Sequence, residues 1–153
     1  MIITTHVVAG SAIGAYIDTP LPAFLAGILS HHLLDRIPHL EYGEFSEDDR
    51  TNKAMWFRVG LDATVALLSL VLFLTLISDR PGILWASMGS VLPDFLHQVP
   101  WWQKYTRSWP ITKQYFQFHE WFHRKLRPDK QWLNILLQGA VMAIGLMVIV
   151  ANS

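Results

Sequence analysis

The chain contains no cysteine. Disulfides are excluded, and so are thiolate metal sites; any ion held here must be bound by imidazole and carboxylate. Charge is scarce too. Of 153 residues 16% are charged, and 12 Lys and Arg balance 12 Asp and Glu. A formal net charge of +0 names no nucleic-acid or acidic partner. The opening Met1-Ile2-Ile3-Thr4-Thr5-His6 lacks a basic stretch, so a cleaved signal peptide is not expected. Hydrophobic residues make up 52% of the chain, and mean hydropathy is +0.27. That is too apolar for an average soluble domain, and the length fits one compact unit.

Residues 59–77 are apolar apart from Asp62, and residues 133–151 apart from Gln138. Both stretches have about the length that crosses a bilayer core. Residues 7–17, 21–34 and 82–96 are shorter, and fit either buried helices or a re-entrant hairpin. Small residues recur in them at helical spacing: Gly10 and Gly14; Ala23, Gly27 and Ser30; Ala86, Gly89 and Ser90. Such stripes let helix backbones approach closely. The expectation is an all-α integral membrane bundle of about five helices. It divides into a first helical hairpin (4–40), a second (55–100), an aromatic-basic interfacial segment (101–130) and a C-terminal transmembrane helix (131–151).

Five passes place Arg36, Arg50, Lys53, Arg58, Lys104, Arg107, Lys113, Arg124, Lys125, Arg127 and Lys130 on one side, and Arg80 alone on the other. The basic side is expected to be the cytoplasmic face of a bacterial-type inner membrane. All 7 His fall on it, and a re-entrant first hairpin would leave that unchanged. The same side carries Trp101, Trp102, Tyr105, Trp109, Tyr115, Phe116, Phe118, Trp121, Phe122 and Trp132, interleaved with Lys and Arg. This mixture suits the headgroup level, with membrane lipid as partner and residues 111–126 as an interfacial helix. Nucleic-acid binding is disfavoured between two membrane segments. Oligomeric state stays open, a homo-oligomer included.

Ionisable residues beside lipid are costly and mark function. His6, His32, Asp35, Asp62, Asp94, His97, His119 and His123 are the candidate metal ligands. His32-x-x-Asp35, followed by Arg36-Ile37-Pro38, matches Asp94-x-x-His97, followed by Gln98-Val99-Pro100. Residues at i and i+3 share a helix face, so each pair could grip one ion. His6 and Asp62 lie near the starts of the two preceding helices, which suggests a repeated hairpin. His31 and His39 break this pattern and rank lowest. The alternatives are ordinary: a lone interfacial His snorkels, Asp62 pairs with Arg58, and Asp94 favours a helical turn after Pro93.

His119-Glu120-Trp121-Phe122-His123 is an HExxH run, in which zincins use Glu as general base. Zincins take a third ligand downstream, and only Asp129 remains there. His119 and His123 are therefore read as joining the upstream set, with Asp94 and Glu120 as catalytic candidates. The mixed His/Asp set suits a divalent ion, Zn first and Mn or Fe next, in one or more copies.

Thr5-His6 before a Gly-rich helix, Gly27 to Pro38-His39, Gly89-Ser-Val-Leu-Pro-Asp94 and the His119/His123 pair together resemble the YdjM-type membrane-bound metal-dependent hydrolases, over about residues 5–125. The Gly-to-Pro-Asp element is also similar to the zinc-dependent phospholipase C group. The resemblance implies a helical inner-membrane protein with a metal site and hydrolase activity. The leading expectation is a metal-dependent hydrolase acting on a phosphoester of a membrane lipid at the cytoplasmic interface. A membrane zinc protease built on Glu120 and a non-enzymatic metal-binding scaffold or ion carrier are the competitors.

Overall fold

The computed structural model describes residues 1–40, 53–98, 105 and 108–153. Arg50, Val99, Pro100, Trp101, Trp102, Lys104, Arg107 and the acidic stretch 44–49 lie outside the described residues. Among the described residues there are six α-helices: α1 (Ile3–Gly14), α2 (Pro20–Asp35), α3 (Lys53–Leu76), α4 (Gly82–Gln98), α5 (Pro110–Phe122) and α6 (Gln131–Val150). A 3-10 turn, Pro128–Lys130, leads into α6.

Two helices are long and apolar enough to cross a membrane. Met55–Leu76 has mean hydropathy 2.2 and Gln131–Val150 has 2.3. The other helices are shorter. At 1.5 Å per residue, α1 with 12 residues and α2 with 16 fall below the ~30 Å of a bilayer core.

The small-residue stripes meet across the bundle. A Cβ on Gly27 would collide with the carbonyl of Ala86, and one on Gly89 with that of Phe24, so α2 and α4 pack backbone to backbone. Gly10 puts α1 equally close to α4, where a Cβ would lie 2.8 Å from the Ala86 oxygen. Helix α4 thus packs mainly on α1 and α2, and much less on α3, its neighbour in sequence. An apolar core of Val8, Ala12, Ala15, Phe73, Ile77, Ile83 and Ile149 fills the end where α1, α3 and α6 finish and α4 begins.

The N-terminus of α1 has no cap of its own, since Ile2 stands at the capping position. Caps come from other helices. Asp62 of α3 accepts the Ile3 N–H at 2.6 Å and the Thr4 N–H at 3.2 Å. Gln138 of α6 accepts the Ile2 N–H at 3.1 Å and holds Asn134 at 2.8 Å, and Asn134 accepts the Leu40 N–H at 2.8 Å. The polar residues inside the two apolar helices therefore satisfy orphan amides of α1 and fix its register.

After α2 and after α5 the chain forms a short parallel bridge. Arg124 N–H donates to the Asp35 carbonyl at 3.0 Å, His39 N–H to Arg124 at 3.1 Å, and Leu126 N–H to His39 at 2.9 Å. This bridge pins α5 over the end of the bundle opposite the apolar core.

Candidate metal centre

Four helices deliver side chains to one buried cluster. Helix α1 brings His6, α2 brings His31 and Asp35 on one face, and α4 brings Asp94. Helix α5 brings His119, with His123 at its C-terminal cap, and His39 follows α2. The side chains of His6, His31, Asp35 and His39 are wholly buried. The glycine contacts that draw α1 and α2 onto α4 are what let these groups meet.

A first set of ligand atoms comes from His31, Asp35, Asp94 and His119, all within 4.8 Å of one another. His31 Nε2 lies 3.0 Å from His119 Nε2, 3.1 Å from Asp35 Oδ2 and 3.7 Å from Asp94 Oδ1. His119 Nε2 lies 3.5 Å from Asp35 Oδ2 and 3.8 Å from Asp94 Oδ1. A tetrahedral ion with bonds of about 2.0–2.2 Å spaces its ligands about 3.3–3.6 Å apart. The five distances, 3.0 to 3.8 Å, bracket that spacing.

Hydrogen bonding fixes one tautomer. His31 Nδ1 is 2.8 Å from the Ser90 carbonyl, which can only accept, so Nδ1 carries the proton and donates. In the neutral ring Nε2 is then a bare lone pair aimed at two carboxylates and a second imidazole. Were Nε2 protonated, its one proton could serve only one of those three groups. Among the described residues Asp35 Oδ2 faces only imidazole nitrogens, those of His31, His119 and His123, and His119 Nδ1 has no partner. A backbone carbonyl behind a ligating imidazole is the usual support for a bound metal.

A second set consists of Asp35, His39 and His123. His39 Nδ1 donates to the Ile37 carbonyl at 2.8 Å. Its Nε2 faces His123 Nε2 at 3.2 Å and Asp35 Oδ1 at 3.6 Å. His123 Nε2 lies 3.7 Å from Asp35 Oδ2, and the Met1 amino nitrogen is 2.8 Å from both Asp35 Oδ1 and His39 Nε2. Asp35 is thus shared, with an oxygen toward each set. His6 stacks on His31, ring centroids 4.3 Å apart, with Nε2 3.3 Å from Asp35 Oδ1 and 3.7 Å from Asp94 Oδ2.

His32 faces outward from the first set into aromatic surroundings. Its atoms also fall within 4.8 Å of those of His31 and His119. Tyr115 lies 3.3 Å from its Nε2, and Phe118 and Phe122 flank the ring. Burial, and then the charges of Asp94 and Asp35, push the Tyr115 phenol up to about 12, so it stays protonated at neutral pH within hydrogen-bond distance of His32.

The structure brings together His6, His32, Asp35, Asp94, His119 and His123. It does not bring in Asp62, whose carboxylate caps α1 instead of pairing with Arg58. His97 stands beside His119, ring centroids 5.2 Å apart, and faces Glu120 at 3.4 Å; among the described residues it joins none of the converging sets. The HExxH histidines divide: His119 belongs to the first set and His123 to the second. His31 and His39, ranked lowest from sequence, hold central positions. Their signal was spacing from Asp35 rather than the hairpin repeat, because each lies four residues from it.

The chain matches no family model, no curated protein and no solved structure with which it was compared.

Proposed function

We propose that this protein is a membrane-embedded, metal-dependent hydrolase of the kind the YdjM-type resemblance implies, acting on a phosphoester of a membrane lipid. One observation carries the metal reading. Two imidazoles whose Nδ1 protons are committed to backbone carbonyls turn their Nε2 atoms toward a shared, buried carboxylate and a further imidazole. His31, Asp35, Asp94 and His119 would hold one divalent ion, Zn foremost. Asp35, His39 and His123 would hold a second, which makes Asp35 the bridge. Such ions lower the pKa of water toward neutral and polarise a phosphoryl oxygen.

Membrane insertion is supported by the exposure of the apolar helices. Only 17% of the most apolar stretch of either long helix is buried, where the core helix of a soluble protein would be covered. The Lys and Arg distribution then favours a cytoplasmic site in an inner membrane. The site's end also carries α5, whose Trp109, Ile111 and Trp121 are exposed beside Lys113 and Arg124. A lipid phosphate at headgroup depth would meet the cluster there. Glu120, exposed and facing His97, stands at the rim as an acid or base.

The protease reading is weaker, because a zincin closes both HExxH histidines on one ion and these two fall in separate ligand sets. The test is hydrolysis by purified protein with Zn or Mn supplied. Wild type is expected to cleave a phospholipid or simple phosphoester, Asp94→Asn to be inactive yet inserted, and Glu120→Gln to keep measurable turnover. Peptide cleavage abolished by Glu120→Gln would favour the protease. Bound metal without any turnover would favour the scaffold.

A further inference from the structure

Arg36 follows Asp35 directly and sits one helical turn beyond His32. Its guanidinium carbon lies 5.5 Å over the Trp121 ring and 5.6 Å over the Phe122 ring. Phe122 is also the ring that packs on His32, with centroids 6.0 Å apart, so Phe122 and His32 lie between the cation and the first ligand set. Among the described residues no carboxylate pairs with Arg36. Glu120, next to Trp121 in sequence, turns to His97 instead.

This arrangement leaves a specific capacity open. Aromatic stacking occupies the face of a guanidinium, whereas its five N–H donors lie in the plane, at the edge. Both ring centroids lie 5.5 to 5.6 Å from the Arg36 guanidinium carbon, and among the described residues no side chain takes its donors. The residue is exposed, at the same end of the molecule as the interfacial aromatics. A planar fork of donors at an accessible edge matches two oxygens of a phosphate.

We propose that Arg36, clamped on Trp121 and Phe122, is a phosphate-binding site at the mouth of the metal centre. Its ligand is a phosphate monoester or diester, as a lipid headgroup or as the free anion. The site does not depend on hydrolysis, because neither the clamp nor the donors involve a metal ligand's nitrogen or oxygen.

The experiment is calorimetric titration of the full-length protein in zwitterionic micelles, with and without chelator. The probes are inorganic phosphate and dihexanoyl phosphatidic acid. Wild type is expected to bind at least one probe in the chelated state. Arg36→Ala should weaken that binding roughly tenfold to a hundredfold, the worth of a charge-assisted contact. Arg36→Lys, which keeps the charge without the planar fork, should fall between, and Trp121→Ala should weaken it several-fold. Metal content should be the same in all four proteins. Binding of the lipid probe alone assigns the site to headgroups, and equal binding of both assigns it to phosphate in general. The proposal is overturned if neither probe binds, if Arg36→Ala binds as wild type does, or if chelator abolishes binding. None of these results requires turnover, so a protein that hydrolyses nothing still tests the site.

Discussion

The two ends of the bundle are built from the same helices by opposite means. At one end Val8, Ala12, Phe73, Ile77, Ile83 and Ile149 bury apolar surface, and a nearby ion pair, Arg80 with Asp18 at 2.9 Å, lies at the surface. At the other end six or more ionisable side chains are buried against one another, and among the described residues polar atoms such as His6 Nδ1 and His119 Nδ1 meet no hydrogen-bond partner. Burial stabilises the first end by the hydrophobic effect, at roughly 25 cal/mol per Å². The second end costs stability, since unpaired buried polar groups are penalised unless something neutralises them. The apolar end therefore serves as the foundation, and the polar end is one that a bound metal ion could neutralise.

The largest expected effect falls on the device both ends share. Gly27→Leu drives a side chain into the Ala86 carbonyl and separates α2 from α4. Without an assembled bundle this variant should fail to accumulate or should elute as aggregate; a monodisperse, metal-loaded Gly27→Leu protein would refute the packing account.

The next changes separate the ends. Ile83→Ala leaves a cavity in a fully buried site and should lower stability by ~2–5 kcal/mol without changing metal content. Asp94→Asn should do the reverse, removing metal while the metal-free protein melts no lower than metal-free wild type. If both variants lose metal and stability in parallel, the two ends are not separable.

A smaller effect distinguishes a cap from a ligand. Asp62→Ala removes the acceptor of the Ile3 and Thr4 amides and should cost ~1 kcal/mol with full metal content retained. Loss of one ion equivalent instead would return Asp62 to the centre.

The smallest effect concerns Tyr115. Its phenol, raised from 10.0 to about 12, is held neutral in the folded state more strongly than in the unfolded chain. Its contribution is complete below pH 10 and is lost as pH climbs toward about 12. Tyr115→Phe should flatten that alkaline loss in a melting-temperature series, and identical profiles would show that Tyr115 does not face His32 in a buried setting.

Much of this design was legible in the residues, and the rest was hidden for definite reasons. Helices α3 and α6 announce themselves by uninterrupted apolar length, and the glycine stripes mark the surfaces that touch. The stripes do not say which helix each will meet, so the packing of α4 on α1 and α2 was not readable. Asp62 and Gln138 looked alike as polar residues in apolar helices, because a ligand and a cap from another helix demand the same chemistry there. His6, Asp35, Asp94 and His119 were legible from type and position. His31 and His39 were obscured because the hairpin repeat drew attention to i, i+3 pairs, whereas the cluster is organised around Asp35 at i±4. The carbonyls of Ser90 and Ile37, which set the imidazole tautomers, leave no trace in side-chain identity.

The central claim is that the converging imidazoles and carboxylates bind metal, and the most direct measurement is elemental analysis of the purified protein combined with X-ray absorption at the metal edge. The account predicts two equivalents of a divalent ion in wild type, with a nitrogen- and oxygen-only shell at about 2.0–2.2 Å. It further predicts that His31→Ala loses the first ion and His39→Ala the second. A wild-type protein that takes up no ion when Zn, Mn and Fe are each supplied, or a His31→Ala variant that keeps its full complement, would contradict it.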